Sequence, residues 1–515
     1  MSAATEAPPA RHRTTAARLP QWWPLAALTV LAALLRLTTL GAQSLWYDEA
    51  FTPLHVLHPS LFTTLEWLPK TENSPPLWYL IEWLDYRVFG SGAFALRLPS
   101  AIAGIALVPV AWAIGRELAD RAAATACAAL VTVGPLFVWY SQEARVYGLF
   151  MFTSGLAVLA FARVLREPTG RRLAWFAAAG ALCMLTHYFA VFIVGAMAAW
   201  LLADPRTRRR SAVALAALVL VGLALLPLIS AQGGRGTQWI GHWALTSRVE
   251  AIPDYYLTGY SGGRLGRSVE ALVALPLLAV LGLGAWRMWK DRPGEHTGPR
   301  PAPADDLARR RKAVWVTLSL TAAGVLVPLA LALGGADYLA PRNLVGAMVP
   351  FSALVAVLAT WPAPRDALGP ALLAVALVAL LAVTLTVELD PKYQRSDWKG
   401  VVKSLPAGDS RAMVVNELGS TPLRYYTPGL QQLHTGDSVR VREIVLAGEE
   451  PLHASAGRPP APGFKLVARH DFTGLVSLRF VAARPQIVSE RTLREANITL
   501  VHGIVLAPDS VRTTR

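Results

Sequence analysis

The sequence predicts a polytopic α-helical membrane protein that carries a soluble α/β domain at its C-terminal end. Of its 515 residues, 54% are hydrophobic and only 16% are charged. The apolar residues come in runs of about 18 to 22, the length that crosses the hydrocarbon core of a bilayer. From residue 389 onward the chain becomes polar and shows short runs of strand-forming residues, which predicts a separate domain over 389–515.

Eleven apolar spans are predicted between residues 22 and 388. Their approximate ranges are 22–40, 93–115, 121–139, 146–164, 172–186, 188–203, 212–230, 269–286, 313–334, 343–361 and 367–387. The first span follows three arginines and is too long for the core of a cleaved signal peptide. It is therefore expected to stay as an anchor behind a cytoplasmic tail of residues 1–21.

The basic residues indicate how the chain crosses the membrane. A net charge of +15 would by itself favour nucleic acid as a partner, but most of the excess arginine lies in short blocks between apolar spans, as the positive-inside bias predicts. No nucleic-acid partner is therefore expected. With these blocks in the cytoplasm, four segments share the extracytoplasmic side: a first outer loop (41–92), a turn (140–147), a loop (231–268) and the C-terminal domain (389–515).

The segment 172–203 leaves two topologies open. A hairpin of two short helices, each about 24 Å long, keeps the basic blocks at both of its ends on the cytoplasmic side. One long tilted helix is the alternative, and it would invert everything downstream. The hairpin is preferred because inversion would place Arg206, Arg208, Arg209 and Arg210 outside.

Two adjacent carboxylates, Asp48 and Glu49, stand just after the first span among Trp46, Tyr47 and Phe51. Acidic residues at the edge of a bilayer are costly to dehydrate, so this pair is a candidate for chemistry at the membrane surface. A carboxylate in this position can act as a general base toward a hydroxyl. The competing interpretation is structural, with Asp48 as a helix N-cap and Glu49 in the first helical turn.

Three basic residues lie at predicted outer loops or outer helix ends, where the positive-inside bias gives no reason for them: Lys70, Arg145 and Arg342. We interpret them as candidate ligands of a phosphate group that leaves during the reaction. The alternatives are a solvated loop charge for Lys70 and, for Arg145, an ion pair with Glu143 or contact with lipid headgroups. Arg36, near the outer end of the first span, is expected to reach toward headgroups.

No cofactor is expected, and a metal is not indicated. The spacing of His55 and His58 after Glu49 is only a weak match to a metal site. The two cysteines both fall inside apolar runs, which excludes a disulfide framework. His187, at the turn of the predicted hairpin, is interpreted as a hydrogen-bonded interfacial residue, with a functional role as the alternative.

Six segments, in order along residues 22–360, carry a resemblance to a known family. They are Trp46-Tyr47-Asp48-Glu49-Ala50-Phe51, Ser74-Pro75-Pro76-Leu77-Trp78-Tyr79, Phe94-Ala95-Leu96-Arg97-Leu98-Pro99-Ser100, Tyr140-Ser141-Gln142-Glu143-Ala144-Arg145-Val146-Tyr147, Thr186-His187-Tyr188 and Pro341-Arg342-Asn343-Leu344. Together they resemble the GT-C membrane glycosyltransferases of the protein O-mannosyltransferase and aminoarabinose-transferase type, glycosyltransferase family 39 and its relatives. The segment 395–400 is similar to the start of the extracytoplasmic domain of many bacterial members.

The resemblance implies a GT-C fold and an inverting transferase that moves one sugar from a polyprenyl-phosphate donor to an extracytoplasmic acceptor. Mannose is the leading expectation for the sugar, and the acceptor is a glycan, a lipid or a protein. The resemblance also implies that Asp48 is the base and that Glu49 helps to shape the site. Arg145, Arg342 and Lys70, singled out by their position on the outer side, are expected to hold the donor phosphate. Four further residues are expected to contact the substrate: Tyr47, Glu143, Tyr147 and His187.

Two departures from the family pattern refine this expectation. Aminoarabinose transferases place a Glu-Lys pair directly before the segment that contains Pro75 and Pro76, where this chain has Asn73 and Ser74. That difference argues against aminoarabinose as the donated sugar and lipid A as the acceptor. Tyr147 stands where some relatives of the fold have a second acidic residue, which favours a mechanism with a single base and no metal.

Two rival functions remain from the sequence. A transporter or flippase of a lipid-linked sugar would place acidic residues near the bilayer midplane, whereas the acids of this chain cluster in one outer loop. A receptor or scaffold that works through its C-terminal domain would leave the Asp48 loop without a function. The Ala- and Arg-rich composition is typical of a bacterial protein, so a multi-pass plasma-membrane location is expected.

Overall fold

The computed structural model describes residues 21–234, 237–291, 302–362, 367–408 and 410–513, so the predicted cytoplasmic tail lies outside the described residues except for Gln21. The helices are α1 (Trp23–Leu37), α2 (Tyr47–Phe51), α3 (Leu61–Thr71), α4 (Leu77–Phe89), α5 (Ala93–Leu118), α6 (Arg121–Val133), α7 (Pro135–Ser141), α8 (Tyr147–Arg166), α9 (Gly170–Thr186), α10 (Ala190–Ala203), α11 (Pro205–Arg208), α12 (Ala212–Gln232), α13 (Gln238–His242), α14 (Leu245–Gly262), α15 (Arg267–Lys290), α16 (Ala304–Leu333), α17 (Met348–Ala359), α18 (Leu368–Leu389), α19 (Trp398–Lys403), α20 (Glu417–Tyr426) and α21 (Glu490–Glu495). The strands are β1 (Arg411–Asn416), β2 (Leu430–Gln432), β3 (Ser438–Gly448), β4 (Phe464–Phe472), β5 (Leu475–Ser489) and β6 (Gly503–Pro508).

The chain is a multi-pass membrane protein. Among the described residues, seven helices are long and apolar enough to cross a bilayer, or eight if the bent pair α6 and α7 forms one span. Helices α1 and α10 are apolar but shorter. Every predicted span coincides with a helix or a bent helix pair, but the count of eleven crossings stays a prediction.

The segment around 172–203 forms two separate helices. Helix α9 ends at Thr186, His187 is extended with φ −150° and ψ 135°, and α10 begins at Ala190. The two helices contact each other. The alternative of one long tilted helix is therefore wrong.

A bend between α6 and α7 creates a polar pocket inside the helix bundle. The two helices meet at 57°, and Pro135 begins the second one. A bend at proline leaves carbonyl groups at the end of the preceding helix without helical partners. The fully buried Arg36 donates to the carbonyls of Val131 (2.9 Å) and Thr132 (3.2 Å) and to the Ser141 hydroxyl (3.1 Å). The expectation that Arg36 reaches toward lipid headgroups is thus wrong, because these freed carbonyls bind it inside the bundle.

The C-terminal domain is built on one mixed six-stranded sheet with the order β2-β6-β1-β3-β5-β4. Strands β1 and β3 are parallel, and all other neighbours are antiparallel. Alternate residues of β1 enter separate cores on the two faces, Val414 in one and Met413 in the other. The second core also takes in Trp398 of α19 and Leu423 of α20. The predicted α/β class is confirmed, and α20 lies against α2 of the first outer loop.

Candidate active site

Helix α2 places the two adjacent carboxylates in different environments. The N-cap is Trp46, in an extended conformation, and its backbone N–H donates to Glu49 Oε2 at 3.4 Å. Asp48 is therefore the second residue of the helix, and the alternative with Asp48 as N-cap is wrong. Because Glu49 reaches back to close the helix start, the Asp48 side chain is left for other contacts.

Glu49 is locked into the protein interior. It is fully buried, and Arg97 of α5 donates to both of its oxygens at 2.7 Å. The backbone N–H of Ala144 donates to it at 2.8 Å, and Arg395 Nε lies 3.6 Å away. Burial by itself would raise the pKa of Glu49, but the charges of Arg97 and Arg395 outweigh it, so this pKa is lowered. Glu49 thus ties α2 to α5 and to the turn before α8.

Among the described residues, Asp48 has one charged partner, and it has partial access to solvent. Its Oδ2 accepts a hydrogen bond from Arg342 Nη1 at 2.8 Å, and the two side chains are 20% and 21% exposed. The Arg342 guanidinium also lies over the rings of Trp239 (4.7 Å) and Tyr147 (5.9 Å). Residues from the first outer loop and from the start of the 3-10 turn Pro341–Ala347 thus meet at one place.

Arg145 is held by a carboxylate that the sequence interpretation did not consider. It forms two hydrogen bonds of 3.2 Å to Glu72, and Glu72 also accepts a 2.7 Å bond from the Tyr79 hydroxyl. Arg145 donates further to Thr52 Oγ1 (3.1 Å) and to the backbone carbonyl of Asp48 (3.5 Å). The expected alternative of a pair with Glu143 is wrong. Arg145 instead joins the Asp48 helix to the segment after α3.

Glu143 is buried with one oxygen unpaired. Its Oε2 lies 3.4 Å from Arg395 Nη2, while its Oε1 has no hydrogen-bond partner among the described residues. Burial, together with the nearby carboxylates of Glu49 and Asp48, raises the pKa of Glu143 to about 7. The positive charges of Arg395 and Arg342 oppose this rise but do not cancel it. Arg395 also lies 4.1 Å from the centre of the Trp139 ring. An arginine from the connection to the C-terminal domain therefore completes this part of the site.

Of the remaining residues expected to contact the substrate, Tyr147 and His187 lie near each other, whereas Tyr47 lies on the outer loop. Tyr147 lies beside Tyr140, with ring centres 4.8 Å apart, and 6.0 Å from the ring of His187. His187 stacks on Phe150 at 4.6 Å and accepts a backbone hydrogen bond through Nδ1. Tyr47 lies on the outer loop, and its ring is 6.1 Å from that of Phe51.

Lys70 lies at the protein surface. Its side chain is 55% exposed, its ammonium group is 3.9 Å from Glu66, and it lies 5.4 Å from the centre of the Trp67 ring. The contacts to Glu66 and Trp67 are to residues of its own helix, α3. The structure thus gives Lys70 a more solvated environment than either Arg145 or Arg342.

The C-terminal domain is fastened to the Asp48 loop at several points. The backbone N–H of Leu45 donates to the Tyr426 hydroxyl at 2.7 Å, and the Tyr425 hydroxyl donates to the carbonyl of Ser91. The backbone N–H of Lys399 donates to the Ser44 hydroxyl at 3.0 Å. The domain therefore packs against the outer loop that carries Asp48.

Sequence reasoning missed the partners that hold these residues in place. Arg97 lies in the family-like segment 94–100, but its pairing with Glu49 was not predicted. A charged residue within a membrane span usually has a specific partner, and this rule could have indicated one. Glu72 directly precedes Asn73, and no spacing rule links it to Arg145. Trp239 lies in a long loop, and no sequence pattern indicated that it would contact Arg342.

No group of three or more His, Cys, Asp or Glu residues in the described parts of the chain is arranged to hold a metal ion. His55 stacks on Phe51 at 4.7 Å and His58 lies 5.2 Å from the ring of Trp67. Glu49, the third member of the weak sequence match, is occupied by Arg97. These three residues are therefore not gathered around one point.

Comparisons with known proteins bear on the fold. Residues 73–231 match the family model for dolichyl-phosphate-mannose-protein mannosyltransferase, while no curated protein matches the chain in sequence. In structure, the chain is similar to ArnT from Cupriavidus metallidurans bound to undecaprenyl phosphate, with a TM-score of 0.53 and 11% identity over 89% of this chain and 98% of that one. The chain has the GT-C fold.

Two other GT-C structures are more distantly similar. The oligosaccharyltransferase AglB from Archaeoglobus fulgidus, in complex with an inhibitory peptide and a dolichol-phosphate, has a TM-score of 0.44 and 12% identity over 75% of this chain and 58% of that one. The S. cerevisiae Pmt1-Pmt2 protein O-mannosyltransferase complex bound to the sugar donor has a TM-score of 0.34 and 18% identity over 42% of this chain and 35% of that one. The resemblance read from the sequence is confirmed by the family match and the fold.

Proposed function

We propose that the chain is an inverting glycosyltransferase that moves a single sugar from a polyprenyl-phosphate donor to an extracytoplasmic acceptor hydroxyl, with Asp48 as the general base. The family match and the GT-C fold support the donor class, and the description of the matching family makes mannose the first sugar to test. The observation that carries the residue assignment is the Asp48–Arg342 ion pair of 2.8 Å, a partly exposed carboxylate and cation side by side.

In the proposed reaction, Asp48 acts on the acceptor hydroxyl and Arg342 acts on the phosphate that leaves. Asp48 accepts the proton of the acceptor hydroxyl as the hydroxyl oxygen attacks the anomeric carbon. The bond from that carbon to the phosphate oxygen breaks, and its electron pair leaves with the phosphate. Arg342 stabilises the charge that develops on the phosphate.

The ion pair also suggests an order of binding. While Arg342 binds Asp48, the arginine is not free for a phosphate, and one carboxylate oxygen is occupied. A donor phosphate that takes over Arg342 releases that oxygen, so donor binding prepares the base. In this proposal the second carboxylate oxygen becomes available to an acceptor only after the donor has bound.

The other two cations rank below Arg342 as phosphate ligands. Glu72 already occupies both outer nitrogens of Arg145, so Arg145 serves the reaction mainly by holding the Asp48 helix. Lys70 is paired with Glu66 at the surface and would meet a phosphate only at the rim of the site. Tyr147, whose ring centre is 5.9 Å from the Arg342 guanidinium, lies close enough to contact a sugar attached to that phosphate.

We assign the site and the C-terminal domain to the extracytoplasmic side of a plasma membrane. A topology reporter fused after the last residue tests this orientation, and a cytoplasmic signal would overturn it. The acceptor in this assignment is a glycan, a lipid or a protein.

The function is tested with purified full-length protein reconstituted in vesicles. Labelled polyprenyl-phosphate sugars, with mannose first and other hexoses and pentoses beside it, are offered together with extracts that contain acceptors. Transfer of label to a product with inverted anomeric configuration is the expected result. Movement of intact labelled donor across the bilayer without any transfer would instead support the flippase alternative.

A further inference from the structure

The C-terminal domain contains a polar cavity of about 450 Å³. Its lining residues are Arg424, Gln431, Gln432, His434, Asp509 and Arg512. A volume of this size accommodates a small organic ligand such as a short oligosaccharide. Within the part of the chain that the structure describes, the lining consists of side chains that exchange hydrogen bonds with hydroxyl groups.

This cavity lies beside the catalytic loop because of the helix that carries Arg424. The next two residues of α20, Tyr425 and Tyr426, make the hydrogen bonds to Ser91 and Leu45 that fasten the domain to the first outer loop. The charge of Arg424 also reaches that loop, since burial and then Arg424 lower the pKa of His55. The cavity is thus held next to the segment that follows Asp48.

The cavity has one uncompensated positive charge. Arg512 is paired with Asp509 at 3.2 Å and donates to the carbonyl of Gln432 at 2.8 Å, so its charge is neutralised and its position fixed. Within the described parts of the chain, Arg424 has neither an ion pair nor a side-chain hydrogen bond, although it is half-buried. An arginine in this state is a ready partner for a carboxylate or phosphate group.

A strip of rings connects the cavity to Asp48. Tyr47, Phe51 and His55 follow one another at every fourth residue, and their ring centres are 6.1 Å and 4.7 Å apart. The strip begins next to Asp48 in the sequence, and α20, which carries Arg424, packs against α2, which contains Tyr47 and Phe51. All three side chains are partly exposed, so part of each ring is accessible to a bound sugar.

We propose that this cavity binds the acceptor, and that the acceptor is a glycan with one anionic group, a carboxylate or a phosphate, beside its hydroxyls. Arg424 binds the anionic group, the polar side chains around it bind hydroxyls, and the ring strip leads the reacting hydroxyl to Asp48. The proposal rests on the glycosyltransferase function and gives the C-terminal domain a task within it.

Binding is measured first, because it does not depend on turnover. The full-length protein in detergent is titrated with a uronic acid disaccharide, a disaccharide phosphate and the neutral parent disaccharide. At least one anionic probe is expected to bind more tightly than the neutral one, and Arg424→Gln should weaken its binding about 10-fold or more. The matched control is Arg484→Gln, an exposed arginine on β5, three strands away from β6 in the sheet.

Three binding results would overturn the proposal: no anionic probe binds above the neutral one, Arg424→Gln binds as the wild type does, or Arg484→Gln weakens binding equally. A comparison of thermal unfolding between the two variants identifies a loss that is due to misfolding. The preferred anionic probe tells carboxylate from phosphate.

Kinetics then separate this proposal from the proposed function. If the wild type transfers sugar to an anionic acceptor, Arg424→Gln is expected to raise the acceptor KM about 10-fold and to leave kcat and the donor KM unchanged. An unchanged acceptor KM would overturn the proposal while leaving the transferase function intact. If the wild type transfers nothing but the binding difference persists, the transferase function fails and the anion site stands.

Discussion

Asp48 and Glu49 are neighbours on one helix turn, yet the protein treats them in opposite ways. Glu49 is fully buried and binds Arg97 and two backbone N–H groups, whereas Asp48 is one-fifth exposed and has the Arg342 side chain as its charged partner. A carboxylate whose lone pairs are all occupied fixes structure, and one with a free oxygen is available for chemistry. Under the proposed mechanism, function in this loop depends on which carboxylate is left accessible, and five variants test the account.

The largest effect on stability is expected from breaking the Glu49 pair. Arg97→Met leaves Glu49 buried without its main partner, which should lower the free energy of unfolding by about 3–5 kcal/mol. Thermal unfolding in detergent measures this loss. A stability equal to that of the wild type would mean that Glu49 is not the anchor of the loop.

Arg342→Gln is expected to act mainly on turnover. Loss of one group that stabilises transition-state charge typically lowers kcat about 10²–10³-fold. Because the Asp48–Arg342 pair is partly exposed, unfolding should shift by only about 1 kcal/mol. Steady-state transfer kinetics and unfolding curves check both numbers. A loss of stability as large as that of Arg97→Met would contradict the expected difference between a structural and a catalytic arginine.

Glu143 should make stability depend on pH. Its pKa is raised from 4.5 in an unfolded chain to about 7 in the folded protein, so the folded state holds a proton that the unfolded state releases earlier. Stability from this group is therefore full below about pH 4.5 and is lost as the pH rises toward 7. Glu143→Gln should flatten the fall of the unfolding temperature over that window, and an unchanged slope would contradict the assignment.

The smallest effect is expected at Lys70. Its side chain is more than half exposed and pairs with Glu66 on the same helix, and such a surface pair contributes about 0–1 kcal/mol. Lys70→Gln should therefore change the donor KM by no more than about 5-fold. A loss of transfer activity as large as that of Arg342→Gln would contradict this ranking and support Lys70 as a ligand of the donor phosphate.

Periodicity and charge predicted the helices well because long apolar runs and arginine blocks are local signals. They also placed Asp48, Arg145 and Arg342 on one face. The partners were not predictable in the same way: Glu72 with Arg145 and Arg395 with Glu143 join residues 73 and 252 positions apart, and no local pattern encodes such a pairing. The prediction for Arg36 was wrong for a related reason: the carbonyls that bind it lie on another helix, at the bend after α6.

The most direct test of the central claim is the kcat of Asp48→Asn in sugar transfer from labelled polyprenyl-phosphate-mannose, or from whichever donor the wild type uses. Asp471→Asn is the matched control, since Asp471 also pairs with an arginine, Arg469, at 2.9 Å but lies exposed on β4. We expect Asp48→Asn to lower kcat about 10²–10⁴-fold and to shift unfolding by no more than about 1 kcal/mol, and Asp471→Asn to behave as the wild type. Wild-type turnover in Asp48→Asn would contradict the assignment of Asp48 as the base.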